Sequence, residues 1–256
     1  MTLLIDIGNT RIKWAAFDGS ELGEQAALAH EQLGQQELVN ALRVAKRPDR
    51  IMVSNVAGPR MADLVCLAAG QLWSLQPEFV ESTASAGGVR NAYPQPEKLG
   101  VDRWLAVIAA HGMEQRAACV VSVGTAMTID AVDRAGQHLG GVIVPGPDLM
   151  VSSLLQNTSE IARRAEQGSV GEGVFADNTL GAIRQGSVHA LAALVERAVA
   201  ALQARVGESP ALLFTGGASR QFDGLIDVPR KFVPDLVLRG LALLASQPPN
   251  VQGGGH

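Results

Sequence analysis

"MTLLIDIGNTRIKWAAFDG", residues 1–19, is the stretch on which the fold turns. Leu3, Leu4 and Ile5 form an apolar run that ends at a carboxylate, Asp6. Gly8, Asn9 and Thr10 make a polar turn, and a second apolar run covers 12–17. Two short apolar runs divided by a Gly-Asn turn predict a β-hairpin. What calls for an explanation is the concentration of Asp, Gly, Asn, Thr and Lys13 at its tip.

Outward from the hairpin, apolar periodicity predicts strands at 24–28, 50–54 and 78–81 and helices at 35–45 and 59–70. A polar loop with Gly87, Gly88, Pro94 and Pro96 leads to a helix that starts near Asp102. The pattern then restarts. Strands are predicted at 119–123, 127–132 and 139–144, with a Gly124-Thr125 turn between the first two. Helices at 146–156 and 175–205, strands at 211–214 and 228–232, and a helix at 236–245 complete the chain. Setting Gly8 against Gly124 aligns two hairpins, each with Gly and Thr at its tip, so the chain reads as an internal duplication. The fold class expected is α/β: two similar domains, 1–116 and 117–246, each a mixed sheet flanked by helices, with a cleft between them. Residues 247–256, rich in Pro and Gly, are expected to be a disordered tail.

Length and composition suit a folded protein of one large domain or two small ones. Of 256 residues, 47% are hydrophobic, enough for a sizeable core. A net charge of -4 disfavours nucleic acid as a partner. Cys66 and Cys119, the only two cysteines, lie in apolar runs and read as core residues rather than a disulfide or zinc site. The first apolar run is too short for a signal peptide, and no run approaches the ~18 residues that span a bilayer. A cytoplasmic protein without membrane contact is therefore expected. The five histidines, among them His30, His111 and His138, are scattered without metal-ligand spacing, and the three tryptophans read as packing anchors.

Glycine and small hydroxyl residues let backbone N–H groups approach an anion closely. Two such turns facing each other could hold a triphosphate. Asp6 would then be repelled unless a cation lay between, a place suited to Mg²⁺, which keeps several of its waters. Lys13 adds a point charge for phosphate. Each residue alone is equally at home in an ordinary hairpin. The second hairpin, with Gly124, Thr125 and Thr128, brings the phosphate reading level with the structural one. No G-x-x-x-x-G-K-[ST] occurs, and "GEGVFA" (171–176) follows a polar segment rather than a strand, which excludes a dinucleotide fingerprint.

The loop "NAYPQPEKLGVDRW" (91–104) carries the only tyrosine, Tyr93, and two prolines that keep it extended. On its own, Asp102 is a helix N-terminal carboxylate and Arg103 a surface charge. Together with "DIGNTRIK" (6–13), "GTAMTID" (124–130), "GQHLGGVIVPG" (136–146), "DNTLGAIRQG" (177–186) and "TGGAS" (215–219), however, the loop resembles the type III pantothenate kinases. These belong to the superfamily of acetate and sugar kinases, Hsp70 and actin, whose domains are ribonuclease H-like. The six pieces occur in family order over most of the chain.

The resemblance implies ATP-dependent phosphorylation of pantothenate to 4′-phosphopantothenate, the first step of coenzyme A synthesis. It implies that Asp6, Ile7, Gly8, Asn9, Thr10, Arg11, Ile12 and Lys13 hold the nucleotide phosphates, with Asp6 beside Mg²⁺ but not directly on it, and that Thr125 contacts them from the second hairpin. Tyr93, Gly100, Val101, Asp102 and Arg103 would bind pantothenate. Asp102 would be the base that accepts the proton of the attacking hydroxyl, and Arg103 would pair with the substrate carboxylate. Thr179 would reach pantothenate in a neighbouring subunit, which implies a homodimer. "TGGAS" is similar to the superfamily's nucleoside-side turn; alone it reads as a plain strand-to-helix turn. One departure stands out. Many members carry an aspartate two residues before the second hairpin's glycine, where it ligates a monovalent cation such as K⁺ or NH₄⁺. Here that position is Ser122, which puts K⁺ dependence in doubt. Two other readings stay open at the level of sequence: a nucleotide-binding accessory factor without turnover, and a kinase for another small hydroxy-acid. The intact 93–103 segment favours the enzyme.

Overall fold

The computed structural model describes residues 1–43, 46–158, 160, 163, 165 and 173–247. Strand β1 (Thr2–Ile7) pairs antiparallel with β2 (Arg11–Phe17), in a register that sets Asp6 opposite Lys13 and Ile7 opposite Ile12. Beyond β2 lies the edge strand β3 (Ala26–Ala29), and on the other flank of β1 run β4 (Arg50–Asn55) and β5 (Glu78–Phe79), both parallel to it. The sheet order is thus β3-β2-β1-β4-β5. Between these strands run helix α1 (Gln35–Leu42) and helix α2 (Pro59–Trp73). Pro59 starts α2, where its missing N–H costs nothing, and Ser74 in the left-handed region stops it.

Successive strand residues point to opposite faces, and the core obeys this. Leu3, Ile5 and Ile7 pack with Leu38, Val39, Val65 and Ala68 under α1 and α2. Leu4, Ala15, Phe17 and Met52 pack on the other face against Leu105 of α3 (Val101–Met113) and Leu238 and Leu241 of the last helix (Leu236–Ala245). By the same alternation Asp6, Lys13 and Ser54 lie on the α3 face, at the ends of their strands. The polar tip of the first hairpin and the start of α3 therefore share one end of the sheet.

The second sheet repeats the first. β8 (Ala118–Val123) pairs antiparallel with β9 (Ala126–Val132), which pairs with β10 (His138–Pro145). β11 (Ala211–Thr215) and β12 (Lys231–Phe232) follow in parallel on the other side of β8. The order β10-β9-β8-β11-β12 matches the first sheet strand for strand, so the duplication expected from the two hairpins is real. Helices α4 (Pro147–Asn157) and α5 (Thr179–Val206) belong to this half. Val195 and Val199 of α5 pack on Val121, Val123 and Met127.

By backbone contact the chain divides into Met1–Met113 with the segment from Asp235 onward, and Glu114–Pro234. The expected boundary at 116/117 thus falls at 113/114, and the last helix groups with the first unit, not the second, because Leu238 and Leu241 bury against that unit's sheet. The long helix starts at Thr179 rather than 175, because the Asn178 side chain caps it by accepting the Gly181 amide at 2.8 Å, while Phe175 is 95% exposed. A short hairpin, β6 (Ser85–Ala86) and β7 (Val89–Arg90), occupies part of the expected loop; Gly87 and Gly88, both at positive φ, form its two-residue turn. Residues 248–256, most of the expected tail, and the start of "GEGVFA" lie outside the described residues.

Trp14, Trp73 and Trp104 are buried anchors. Cys119 is buried, and its thiol is pushed up to about 12, chiefly by burial and then by the Asp130 charge. Cys66 is only half-buried and is not a core residue in the same sense. Among the described residues no helix is long and apolar enough to cross a membrane.

Candidate active site

The tip of the first hairpin is a four-residue turn closed by the Gly8 amide on the Arg11 carbonyl at 3.0 Å. Its flanks are tied down: Val56 N–H donates to Ile7 O at 2.9 Å, and His30 N–H donates to Thr10 O at 3.2 Å. The amides of Asn9 and Thr10 have no hydrogen-bond partner among the described residues, and both residues are exposed. Backbone donors left open at a tight turn form an anion-binding concavity. Gly8 and Gly124 are at ordinary φ, and an added Cβ at either would meet only atoms at 3.5 Å or beyond. Neither glycine is needed to form its turn; each leaves the approach to the backbone open.

Asp6 is 7% exposed, and its Oδ1 has no hydrogen-bond partner among the described residues. The fully buried Ser54 hydroxyl beside it is also unpartnered; it acts on the carboxyl without the alignment of a formed hydrogen bond. Burial raises the Asp6 carboxyl most, Lys13 opposes it, and the nearby Asp102 charge raises it further, to about 6. The Asp6 carboxylate, with its orphaned buried Oδ1, fits the water shell of a hydrated divalent cation, whereas the Lys13 ammonium, which has no lone pair to offer a metal, suits phosphate.

Asp102 stands in the first turn of α3 and accepts the Arg103 amide at 2.8 Å. An added Cβ at Gly100 would lie 2.8 Å from Asp102 Oδ1, so glycine there leaves the carboxylate its place. Arg103 is 7% exposed; its Nη1 donates to the Tyr93 hydroxyl at 3.2 Å, and its guanidinium lies 6.0 Å from the centre of the Tyr93 ring. Tyr93 is positioned in turn by Asn91, whose Oδ1 accepts the Tyr93 amide and whose own amides bridge to Thr83 and Ala84. The first unit thus brings Asp6, Lys13, Gly100, Asp102, Arg103 and Tyr93 together, with the turn residues Gly8 to Arg11 at the same strand ends.

Thr125, Ser122 and Thr179 belong to the second unit. Thr125 is exposed at the tip of the β8–β9 hairpin, whose carbonyl receives the Gly146 amide at 2.8 Å. Ser122 is half-buried, with Thr128 and Thr215 as its neighbours on the flanking strands. Thr179 is the first residue of α5. Sequence reasoning missed how closely "VPG" and "TGG" pack on this tip. A Cβ at Gly146 would lie 2.1 Å from Gly124 O, and one at Gly216, at φ +93°, would lie 2.2 Å from Val123 O. It also missed Ser54 and His30. The His30 ring, 6% exposed, has Nε2 2.6 Å from Gly8 O, although it had read as one of several scattered histidines. Only the pairing of β3 with β2 brings it to the turn. His138 is likewise not loose: it is buried, 3.1 Å from the equally buried Asp130.

Comparison with known proteins bears on the family and the fold. The type III pantothenate kinase family profile matches residues 2–201. A type III pantothenate kinase of Nitrosospira multiformis is 35% identical over 255 residues, covering 100% of this chain and 95% of its own. One of Azoarcus sp. is 40% identical over 251 residues, covering 96% and 91%. Among solved structures, a Campylobacter jejuni protein described as a Baf family transcriptional activator superposes with a TM-score of 0.58 at 23% identity, covering 93% of this chain and 94% of that one. The activator of 2-hydroxyisocaproyl-CoA dehydratase from Clostridium difficile, with bound ADPNP, gives 0.53 at 13%, covering 96% and 92%. At such identities the structures speak for the fold alone, that of actin-like ATPases and sugar kinases. The family profile and the full-length relatives speak for more: the chain belongs to the type III pantothenate kinase family.

Proposed function

We propose that this chain transfers the γ-phosphoryl group of ATP to the hydroxyl of pantothenate, giving 4′-phosphopantothenate and ADP. Family membership supports the reaction; the observation that carries the residue roles is the convergence of Asp6, Lys13, Asp102, Arg103 and Tyr93 at one end of the first sheet. Phosphoryl transfer asks a protein mainly for alignment and charge stabilisation. The open amides of Asn9 and Thr10, with Lys13, hold the polyphosphate; a phosphate role for Thr125 rests on the family resemblance alone. A bound Mg²⁺ would offset the phosphate charge next to Asp6, with the Asp6 carboxylate meeting its water shell. Arg103, steadied by Tyr93, takes the pantothenate carboxylate. Gly100 and Val101 line the substrate, and Asp102 accepts the hydroxyl proton as that oxygen bonds to phosphorus and the bond to ADP breaks. Alignment of this kind is worth as much as ~7–11 kcal/mol of barrier.

Thr179 reaches the pantothenate held by a second copy, so the working form is a homodimer. The exposed apolar residues of this unit, among them Ile143 on edge strand β10, Leu149 and Leu154 on α4, and Phe175 four positions before Thr179, support burial against a second copy. The setting is cytoplasmic, where coenzyme A precursors are made. With Ser122 in place of a carboxylate, replacing K⁺ by Na⁺ in a steady-state assay is expected to change turnover little; a large drop would show that other groups build a monovalent site.

The test of the substrate is ATP consumption by the purified protein with pantothenate set against a panel of small hydroxy-acids. Pantothenate is expected to be preferred by a wide margin in kcat/KM. Equal or better use of another hydroxy-acid would replace the substrate while leaving the kinase chemistry.

A further inference from the structure

His30 is a residue to which neither the motifs nor the mechanism gave a task. It follows edge strand β3 and is 22 positions from Gly8, yet it grips the phosphate turn twice. Its backbone N–H donates to Thr10 O at 3.2 Å, and its ring Nε2 lies 2.6 Å from Gly8 O. A carbonyl only accepts, so Nε2 is the donor. Leu33 N–H donates back to the His30 carbonyl at 3.2 Å, and Leu33 is itself buried in the core, so the ring is anchored from behind.

The geometry of a peptide gives this contact a consequence. No peptide bond in the described chain is cis, so the Gly8 C=O and the Asn9 N–H of the same planar unit point in opposite directions. Holding the carbonyl against His30 turns the Asn9 amide away from the ring, to the side on which it has no protein partner. A donor on the carbonyl also polarises the peptide and strengthens its N–H as a donor. We propose that His30 is a positioning residue for nucleotide: it orients the Gly8–Asn9 peptide so that the Asn9 amide meets a phosphate oxygen and the carbonyl oxygen does not. The inference rests on the ATP reading of this turn, not on the identity of the phosphoryl acceptor.

The test compares His30→Ala, His30→Phe, which keeps a ring without a donor, and His30→Gln, whose amide nitrogen can replace Nε2–H. Folding is checked by circular dichroism. The dissociation constant of Mg-ATP is measured by calorimetry without pantothenate, and KM is then measured for both substrates. Loss of a short hydrogen bond of this kind should weaken Mg-ATP about tenfold in the donor-less variants, with KM for pantothenate within about twofold of wild type. The Gln variant should recover most of the ATP affinity. A folded donor-less variant that binds Mg-ATP as tightly as wild type overturns the inference. So does an equal rise in both KM values, or a folded Gln variant as weak as the donor-less ones. Wild-type protein that binds Mg-ATP without phosphorylating pantothenate would refute the substrate reading and leave the His30 result standing.

Discussion

Asp6 is a buried carboxyl beside a second carboxylate, and the fold holds its affinity for protons well above that of an exposed aspartate. Its place was legible in the sequence as a charge at the end of an apolar strand; its buried neighbour Ser54, and His30 behind the adjoining turn, were not, because strand pairing alone brings them there. The sign of its effect on stability follows from the direction of the shift. The unfolded value is 3.8 and the folded value about 6, so the native state binds the proton more tightly. Stability from this group is full below about pH 4 and falls as pH rises to about 6, by about 3 kcal/mol. Asp6→Asn should abolish this slope and leave Tm at pH 8 equal to or above that of the ligand-free wild type. It should also weaken Mg-ATP binding severely. Thermal unfolding from pH 4 to 8 checks this; a lower Tm at pH 8 in the variant would contradict it.

Among the elements, the central strands and the main helices follow from apolar periodicity, and β1, β2, β8 and β9 lie within a residue or two of expectation. The weak points are short pieces whose register depends on neighbours. β12 shrinks to Lys231–Phe232 after Pro229, which cannot donate to a ladder, and the Gly87-Gly88 hairpin was hidden in a polar loop. The turns around the second hairpin illustrate the limit best. "VPG" and "TGG" read as separate loop signals, and only their packing on Gly124 and Val123 shows that they build one surface. The two classes of glycine should therefore respond differently. Gly216→Ala forces a backbone clash and a strained φ and should cost roughly 3 kcal/mol or more in denaturant unfolding. Gly8→Ala should unfold within about 1 kcal/mol of wild type while weakening ATP. Equal destabilisation by both would refute the distinction.

At the scale of the whole molecule, the duplication could be inferred from two hairpins of low identity, and the matching strand orders bear it out. The grouping of the last helix with the first unit could not, because a helix that crosses back looks in sequence like any terminal helix. The exposed apolar residues of β10 and α4, and Phe175, belong to this scale as well. A charge there, as in Ile143→Asp with Phe175→Asp, should give a monomer by light scattering with intact secondary structure and most of the turnover lost. A fully active monomer would remove Thr179 from the neighbouring site. The central claim, that Asp102 serves as base for phosphoryl transfer to pantothenate, is tested most directly by the turnover of Asp102→Asn with ATP and pantothenate. The account predicts a kcat lower by about 10²–10⁴, with Tm and the Mg-ATP dissociation constant close to wild type. Near-normal turnover in that variant would contradict it.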